Sequence, residues 1–249
     1  MSDMNKKVKK EKAVAAVVIF LIIIATVLVF IFWPPVACYN KQFYVCATTK
    51  ELDLRGFSFD WPMYYLQFFK KLQKLNLYEP VQDDLKYIPE TRTLKDITLS
   101  FAEIKDASSV KAFDCTENLH FYGSKVYFDG FGSRDVKNLS FESCDIFDFG
   151  KHGHFSSLEE LTFSNCFFDK EDFSYTLTYD NKGQVVKDSS AFSGLAGVKK
   201  LYFDNIVFED VSGFIGMANL QEIVAGEGVF SPENTEKLTT AGIKVSAKT

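Results

Sequence analysis

The chain has 249 residues, 47% of them hydrophobic, with 26 Phe against 2 Trp and a formal charge of −5. That length holds one sizeable domain or two small ones, and the aromatic content can furnish a large core. Past residue 12 it carries 23 basic against 31 acidic side chains, a formal −8, which argues against nucleic acid or anionic lipid as partner and favours a neutral or basic protein.

Residues 13–33, AVAAVVIFLIIIATVLVFIFW, run for 21 positions without a charge. About 20 residues of helix cross a bilayer core, so this run predicts a transmembrane helix. Residues 1–12, MSDMNKKVKKEK, hold five Lys, and basic residues are sparse beyond the run. That asymmetry predicts a cytoplasmic basic tail and a single-pass protein of the cell membrane, with everything after Trp33 outside the cytoplasm. Two other readings stand beside this one. A cleaved signal peptide would have a shorter apolar region and an A-x-A site, which is missing. In PVAC, Cys38 would be lipidated if Pro35 stood for the Leu of a lipobox. Residues 34–49 then form a juxtamembrane segment and N-terminal cap. Within it Cys38 and Cys46 are candidates for a disulfide closing a small loop in an oxidising compartment, with free thiols as the alternative.

Residues 50–230 say one thing repeatedly. Val136, Leu139, Phe141, Cys144 and Ile146 are answered 22 positions later by Leu158, Leu161, Phe163, Cys166 and Phe168. The L-x-[LF] core recurs as Leu52/Leu54, Leu75/Leu77, Ile97/Leu99, Leu119/Phe121, Leu139/Phe141, Leu161/Phe163, Leu201/Phe203, Ile223/Ala225 and Ile243/Val245, in steps of 23, 22, 22, 20, 22, 40, 22 and 20. L-x-L is a strand of period two, apolar inward and variable outward. About 20 residues suffice for a short strand, a turn, a return along the outer face and another turn. No copy buries its apolar side alone, so the copies must stack as a parallel ladder.

Several copies add an apolar residue three positions earlier, at Leu72, Leu94, Val136, Leu158, Val198 and Leu220. The resulting L-x-x-L-x-L resembles the leucine-rich-repeat family over roughly Lys50 to Val245. AFSGLAGVKKLYF (191–203) and GFIGMANLQEIVA (213–225) look like the F-x-G-x-x-x-L-x-x-[LI] phrase of bacterial surface repeat proteins, and the period is similar to that of the internalins. The resemblance implies an α/β repeat solenoid with a parallel β ladder of about nine short strands on its concave face, preceded by the transmembrane helix. The family usually places Asn or Cys three residues after the second apolar strand residue, where it bonds the turn. Here that column reads Phe57, Pro80, Ala102, Ser124, Cys144, Cys166, Ile206 and Gly228, without an asparagine ladder. Phe149, Phe155, Phe192 and Phe214 are expected to pack between coils and supply some of that stability.

The step of 40 contains an insertion at 169–190, where YTLTY and QVV flank Asn181-Lys182-Gly183. This predicts a hairpin projecting from the coils, with a degenerate extra coil as the alternative. Residues 61–72, WPMYYLQFFKKL, predict a helix in the first coil. At the other end, 231–249 predict a cap whose helix starts at Ser231 and Pro232 and stops at Gly242.

Cys144 and Cys166 hold equivalent places in adjacent coils, about 5 Å apart at Cα, which allows either a disulfide or two buried thiols. Cys115 falls on a polar column and reads as a lone exposed thiol. His152 and His154 lie on the outside while the cysteines point in, so they share no metal site. Asn138-Leu139-Ser140 matches a glycosylation sequon. The chain has no nucleophile elbow, phosphate loop or dinucleotide motif, so no catalytic, cofactor or metal residue is assigned and no enzyme is expected.

The outward strand positions carry the functional expectation. One column reads Asp53, Asn76, Thr98, His120, Ser140, Thr162, Tyr202, Val224; the next reads Arg55, Tyr78, Ser100, Tyr122, Glu142, Ser164, Asp204, Gly226. Aromatics among small polar residues suit protein recognition. The expected protein-binding residues of the concave face are Arg55, Tyr78, Phe101, His120, Tyr122, Glu142, Tyr202 and Asp204. The expected function is therefore a membrane-anchored recognition or adhesion module, the alternative a structural subunit of a membrane assembly docking through its anchor and hairpin.

Overall fold

The computed structural model describes residues 17–28, 35–38, 41–44, 49–55, 63–133, 135–153, 155–168, 175–177 and 184–248. Nine strands form one parallel sheet in chain order: Glu51–Asp53, Lys74–Tyr78, Asp96–Ser100, Asn118–Tyr122, Asn138–Glu142, Glu160–Ser164, Lys200–Asp204, Glu222–Ala225 and Lys244–Ala247. With few helices beside it, this is an α/β arrangement dominated by one large parallel sheet. The register is the one the L-x-[LF] spacing demands from Leu52 opposite Leu75 to Leu201 opposite Ile223. Leu139 pairs with Leu161 and Phe141 with Phe163, all buried, while Ser140 and Thr162 face out.

The last copy departs from expectation by two residues. Ile223 stands opposite Val245 and Ala225 opposite Ala247, where the spacing had paired Ile223 with Ile243. The preceding helix Pro232–Thr240 and the turn at Gly242, at φ +86, use the extra residues. A shift of two preserves strand parity, so the apolar side still points inward. The helix itself starts as expected, with Ser231 Oγ accepting from the Asn234 N–H at 3.1 Å and Pro232 at its first position. Buried Asn234 donates through Nδ2 to the Phe208 and Glu209 carbonyls at 3.0 and 3.1 Å, closing the end of the outer layer.

Opposite the large sheet runs a second parallel ladder of short strands, Glu103–Ile104, Lys125–Tyr127, Asp145–Phe147 and Phe167–Phe168. Between the two layers sits a phenylalanine stack. Phe121, Phe141, Phe163 and Phe203 lie face to face at 5.2, 5.3 and 6.0 Å, with interplanar angles of 4, 10 and 7°. Phe149, Phe192 and Phe214 pack beside them at 4.9 Å intervals, and Phe155 meets Phe131 at 5.4 Å, as the sequence led us to expect. Each such ring removes enough apolar area from water to contribute a few kcal/mol, at about 25 cal/mol per Å2.

The turn after the strand is fastened by the column that lacks asparagine. The Ala102 N–H donates to Ser124 Oγ at 3.0 Å, and the Ser124 N–H donates to Cys144 Sγ at 3.5 Å. The Cys144 thiol reaches the Phe121 and Glu142 carbonyls at 3.4 and 3.3 Å; that of Cys166 reaches Phe141 and Ser164 at 3.4 and 3.3 Å. Ser124, Cys144 and Cys166 thus bond turn backbone in three consecutive coils. The two cysteines are buried free thiols, and burial pushes that of Cys166 well above its ordinary value.

The inserted hairpin is present, with Tyr175–Leu177 antiparallel to Gln184–Val186; the expected turn residues 181–183 lie outside the described residues. Its second strand does not stand away from the coils. It pairs in parallel with Ile206–Phe208 and acts as an added rung of the outer layer. Buried Gln184 spans the gap to the previous rung: Phe168 N–H donates to its Oε1 at 2.7 Å, and its Nε2 donates to the Phe168 carbonyl at 2.8 Å.

At the other end, residues 61–72 hold a 3-10 helix over Met63–Phe68, burying Met63 and Leu66, with Phe69 and Leu72 buried behind it. Residues 17–28 form an apolar helix whose large side chains from Val17 to Leu28 are all at least 39% exposed. No helix among the described residues is long and apolar enough to cross a membrane. The rest of the 13–33 run lies outside them.

Candidate protein-binding face

The outward columns line up across the sheet as the register requires. Asn76, Thr98, His120 and Ser140 stand side by side, and Tyr78, Ser100, Tyr122 and Glu142 form the neighbouring row. Over the first five strands these rows enclose a cavity of about 470 Å3, lined by Arg55, Tyr78, Phe101, His120, Tyr122 and Glu142 together with Lys74, Asn76, Thr98 and Ser100. Six of the eight residues expected from the sequence therefore converge on one depression. Lys74, Asn76, Thr98 and Ser100 were not among them; their signal was position, since all four occupy outward places on strands already recognised.

The aromatic wall is continuous. Phe101 meets Tyr78 edge-on at 5.1 Å and Tyr122 at 5.4 Å. Beneath it, Ser100 is 5% exposed, and neither its hydroxyl nor that of Thr98 makes a hydrogen bond to the described residues. His120 is half-buried, with its Nε2 4.0 Å from Glu142 Oε2. Burial lowers the imidazole pKa below its ordinary value, and the Glu142 charge opposes this less strongly. Arg55 is bound in a fork to Asp53, Nε to Oδ1 at 3.0 Å and Nη2 to Oδ2 at 2.5 Å. That side-chain hydrogen bonding holds the Asp53 carboxyl at about 2 and leaves the pair locally neutral.

Tyr202 and Asp204 lie elsewhere, two strands beyond Glu142 along the sheet. The Lys200 ammonium sits 4.8 Å from the Tyr202 ring centre, and Lys248 Nζ donates to Asp204 Oδ2 at 2.7 Å. Both residues face outward as expected but do not join the cavity.

Other sequence candidates resolve differently. The expected Cys38–Cys46 disulfide lies outside the described residues, although the backbone of Pro35–Cys38 pairs antiparallel with Lys41–Tyr44. Cys115 is half-buried rather than exposed, and its thiol pKa is raised, first by burial and then by nearby Asp135 and Asp114. It sits at the opposite strand ends, in a cavity of about 250 Å3 beside the ions Lys95, Glu117 and Lys137. His152 packs on Phe149 and Phe155 at a third cavity, of about 320 Å3, walled largely by backbone and apolar groups; His154 is outside the described residues. Asn138, of the sequon, faces outward and donates to Asn118 Oδ1 at 2.6 Å, and Asn118 in turn donates to Asp96 at 2.6 Å.

No family model and no curated protein matches the chain. The functional reading therefore rests on the residues themselves.

Proposed function

We propose that this chain is a single-pass membrane protein whose leucine-rich-repeat solenoid lies outside the cytoplasm and binds another protein through its concave face. The observation that carries the reading is the cavity at Tyr78, Phe101 and Tyr122. It combines exposed aromatic edges with the buried Ser100 and half-buried Thr98 hydroxyls, which have no hydrogen-bond partner among the described residues, the composition of an interface centre rather than of a solvated sheet. Support for the repeat architecture comes from the 22-residue register of the two ladders. Support for the anchor comes from the uncharged run at 13–33, the lysines before it, and the exposure of the large apolar side chains of the helix at 17–28. Within this reading the face holds and orients a partner; it does no chemistry.

Affinity capture from cell-surface extracts with the detergent-solubilised full chain tests the reading. A partner should be retained by the native chain and lost with Tyr78→Ala combined with Tyr122→Ala. Protease added to intact cells should digest the repeats and spare the N-terminus; protection of the repeats would overturn the topology. One observation favours a second reading, a subunit docked through its insertion. Among the described residues Tyr175–Leu177 is paired on one side only, leaving a strand edge available for β-addition. Loss of association on deleting 174–188, with the double alanine variant binding normally, would select that alternative.

A further inference from the structure

Six of the long strands, those from Lys74–Tyr78 to Lys200–Asp204, turn out through a left-handed residue. The positions are Glu79, Phe101, Gly123, Ser143, Asn165 and Asn205, at φ between +47 and +58°. Glycine and asparagine adopt this conformation readily; a bulky side chain strains it. Phe101 is the one large apolar residue among the six. Its side chain is 46% exposed, so burial does not offset the strain. The next coil makes room for it. A Cβ at Gly123 would stand 2.7 Å from the Phe101 ring, so the aromatic at 101 depends on the glycine at 123. Strain of this kind at an exposed position points to a role in binding.

What the ring encloses specifies the ligand. The Phe101 ring sits between Tyr78 and Tyr122, 5.1 and 5.4 Å from their centres, so the three rings wall one side of a notch whose floor includes Ser100. Among the described residues the Ser100 and Thr98 hydroxyls at its floor have no hydrogen-bond partner, and Glu142 stands beside Tyr122 in register. Arg55 is already neutralised by Asp53, and the Lys74 row is separated from the tyrosine row by Asn76. The chain past residue 12 is acidic. We propose that this notch receives the guanidinium of an arginine presented by the protein partner, with the aromatic wall against its π-system, the hydroxyls of Ser100 and Thr98 accepting from its N–H groups, and Glu142 as its counter-ion. A guanidinium is planar, carries five donors in a fork and binds aromatic faces as a cation. A neutral aromatic side chain would leave both hydroxyls without a donor and Glu142 facing only the His120 imidazole, at 4.0 Å. The inference rests on the protein-binding reading and specifies its anchor residue.

The test uses the full chain in detergent micelles, titrated with N-acetyl-arginine amide and followed by amide chemical shifts. Saturable shifts should centre on Thr98, Ser100, Phe101 and Tyr122. The neutral isostere, N-acetyl-citrulline amide, should bind at least about tenfold more weakly, and Glu142→Gln should weaken the arginine probe to a similar degree. Phe101→Asn should raise the melting temperature, because asparagine relaxes the left-handed position, while abolishing the arginine response. No saturable response, equal binding of arginine and citrulline, tighter binding of N-acetyl-phenylalanine amide, or a lower melting temperature for Phe101→Asn overturns the proposal. Failure here together with capture of a partner sensitive to Tyr78 and Tyr122 would remove the arginine and leave the binding face. A partner insensitive to those tyrosines would remove the face itself.

Discussion

The two halves of the large sheet share an interior and differ on the outside. Inward, both carry the same alternation, Leu75 and Leu77 in one half answered by Leu201 and Phe203 in the other, all fully buried. Outward, the C-terminal half answers its own charges. Lys200 and Lys244 flank Glu222 at 3.2 and 2.9 Å, the Ser246 hydroxyl donates to it at 2.8 Å, and Lys248 donates to Asp204. In the N-terminal half, Ser100 and Thr98 face a cavity with no such answer among the described residues, under an aromatic wall. A repeat must be uniform where coils stack, because each coil is its neighbour's core. It is free to vary where it meets solvent, and in the proposed reading the face whose hydroxyls have no partner among the described residues is the one that meets a ligand.

The sharpest break of the comparison is inside it. Leu161→Asp should destabilise the fold by about 4 kcal/mol or more, since it buries a charge with no counter-ion, and Leu75→Asp should do the same in the other half. Thr162→Asp, one residue along and facing out, should shift stability by no more than about 0.5 kcal/mol. Denaturant melts of the three variants check this. Comparable losses for Leu161→Asp and Thr162→Asp would contradict the register.

The next effect is in the turns. Ser124→Ala leaves the Ala102 N–H buried without an acceptor and should cost about 1–3 kcal/mol. Cys144→Ala removes a weaker sulfur contact and should cost less, which urea unfolding of the pair would rank. These turn bonds were poorly legible in the sequence, although the residues were in view. The column lacks an asparagine ladder, its two cysteines read only as a disulfide or as buried thiols, and Ser124 carried no expectation, whereas a hydroxyl or thiol at that place also reaches the backbone. The left-handed column was equally readable from Gly123, Asn165 and Asn205 at repeat spacing. What spacing did convey was everything fixed by period two: seven of the eight strand pairings, and the rows that bring Tyr78, His120, Tyr122 and Glu142 together. It could not show that Tyr202 and Asp204 are engaged by Lys200 and Lys248, because those partners depend on side-chain reach, along one strand for Lys200 and between strands for Lys248. Nor could it show that the last copy slips by two, since parity is unchanged.

On the outer face, the comparison predicts unequal consequences for equal substitutions. Tyr78→Ala with Tyr122→Ala should weaken partner binding at least about tenfold, or 1.4 kcal/mol, with the fold intact. Tyr202→Ala, in the half whose charges are already paired, should change binding by less than about threefold. Surface-binding kinetics with the captured partner distinguish the two, and a dominant effect at Tyr202 would move the site to the C-terminal half.

The smallest effect is electrostatic, and each half supplies one probe. Asp53 and Glu222 are both held at about 2, Asp53 chiefly by its hydrogen bonds to Arg55, Glu222 by Lys244 first and then by Ser246 and Lys200. A depressed carboxyl pKa contributes stability above the unfolded values, 3.8 for Asp53 and 4.5 for Glu222, and loses it as pH falls through the folded value near 2. Both groups are solvent-accessible, so screening keeps the change in melting temperature small across that window. Carboxyl NMR titration reads them directly. Arg55→Gln should return Asp53 most of the way to its ordinary value and leave Glu222 unmoved. Lys244→Gln should return Glu222 only part of the way, because Lys200 and Ser246 remain. A fuller recovery at Glu222 than at Asp53 would mean that the C-terminal zipper depends on a single lysine, and the contrast between a self-satisfied half and an open one would lose its electrostatic basis.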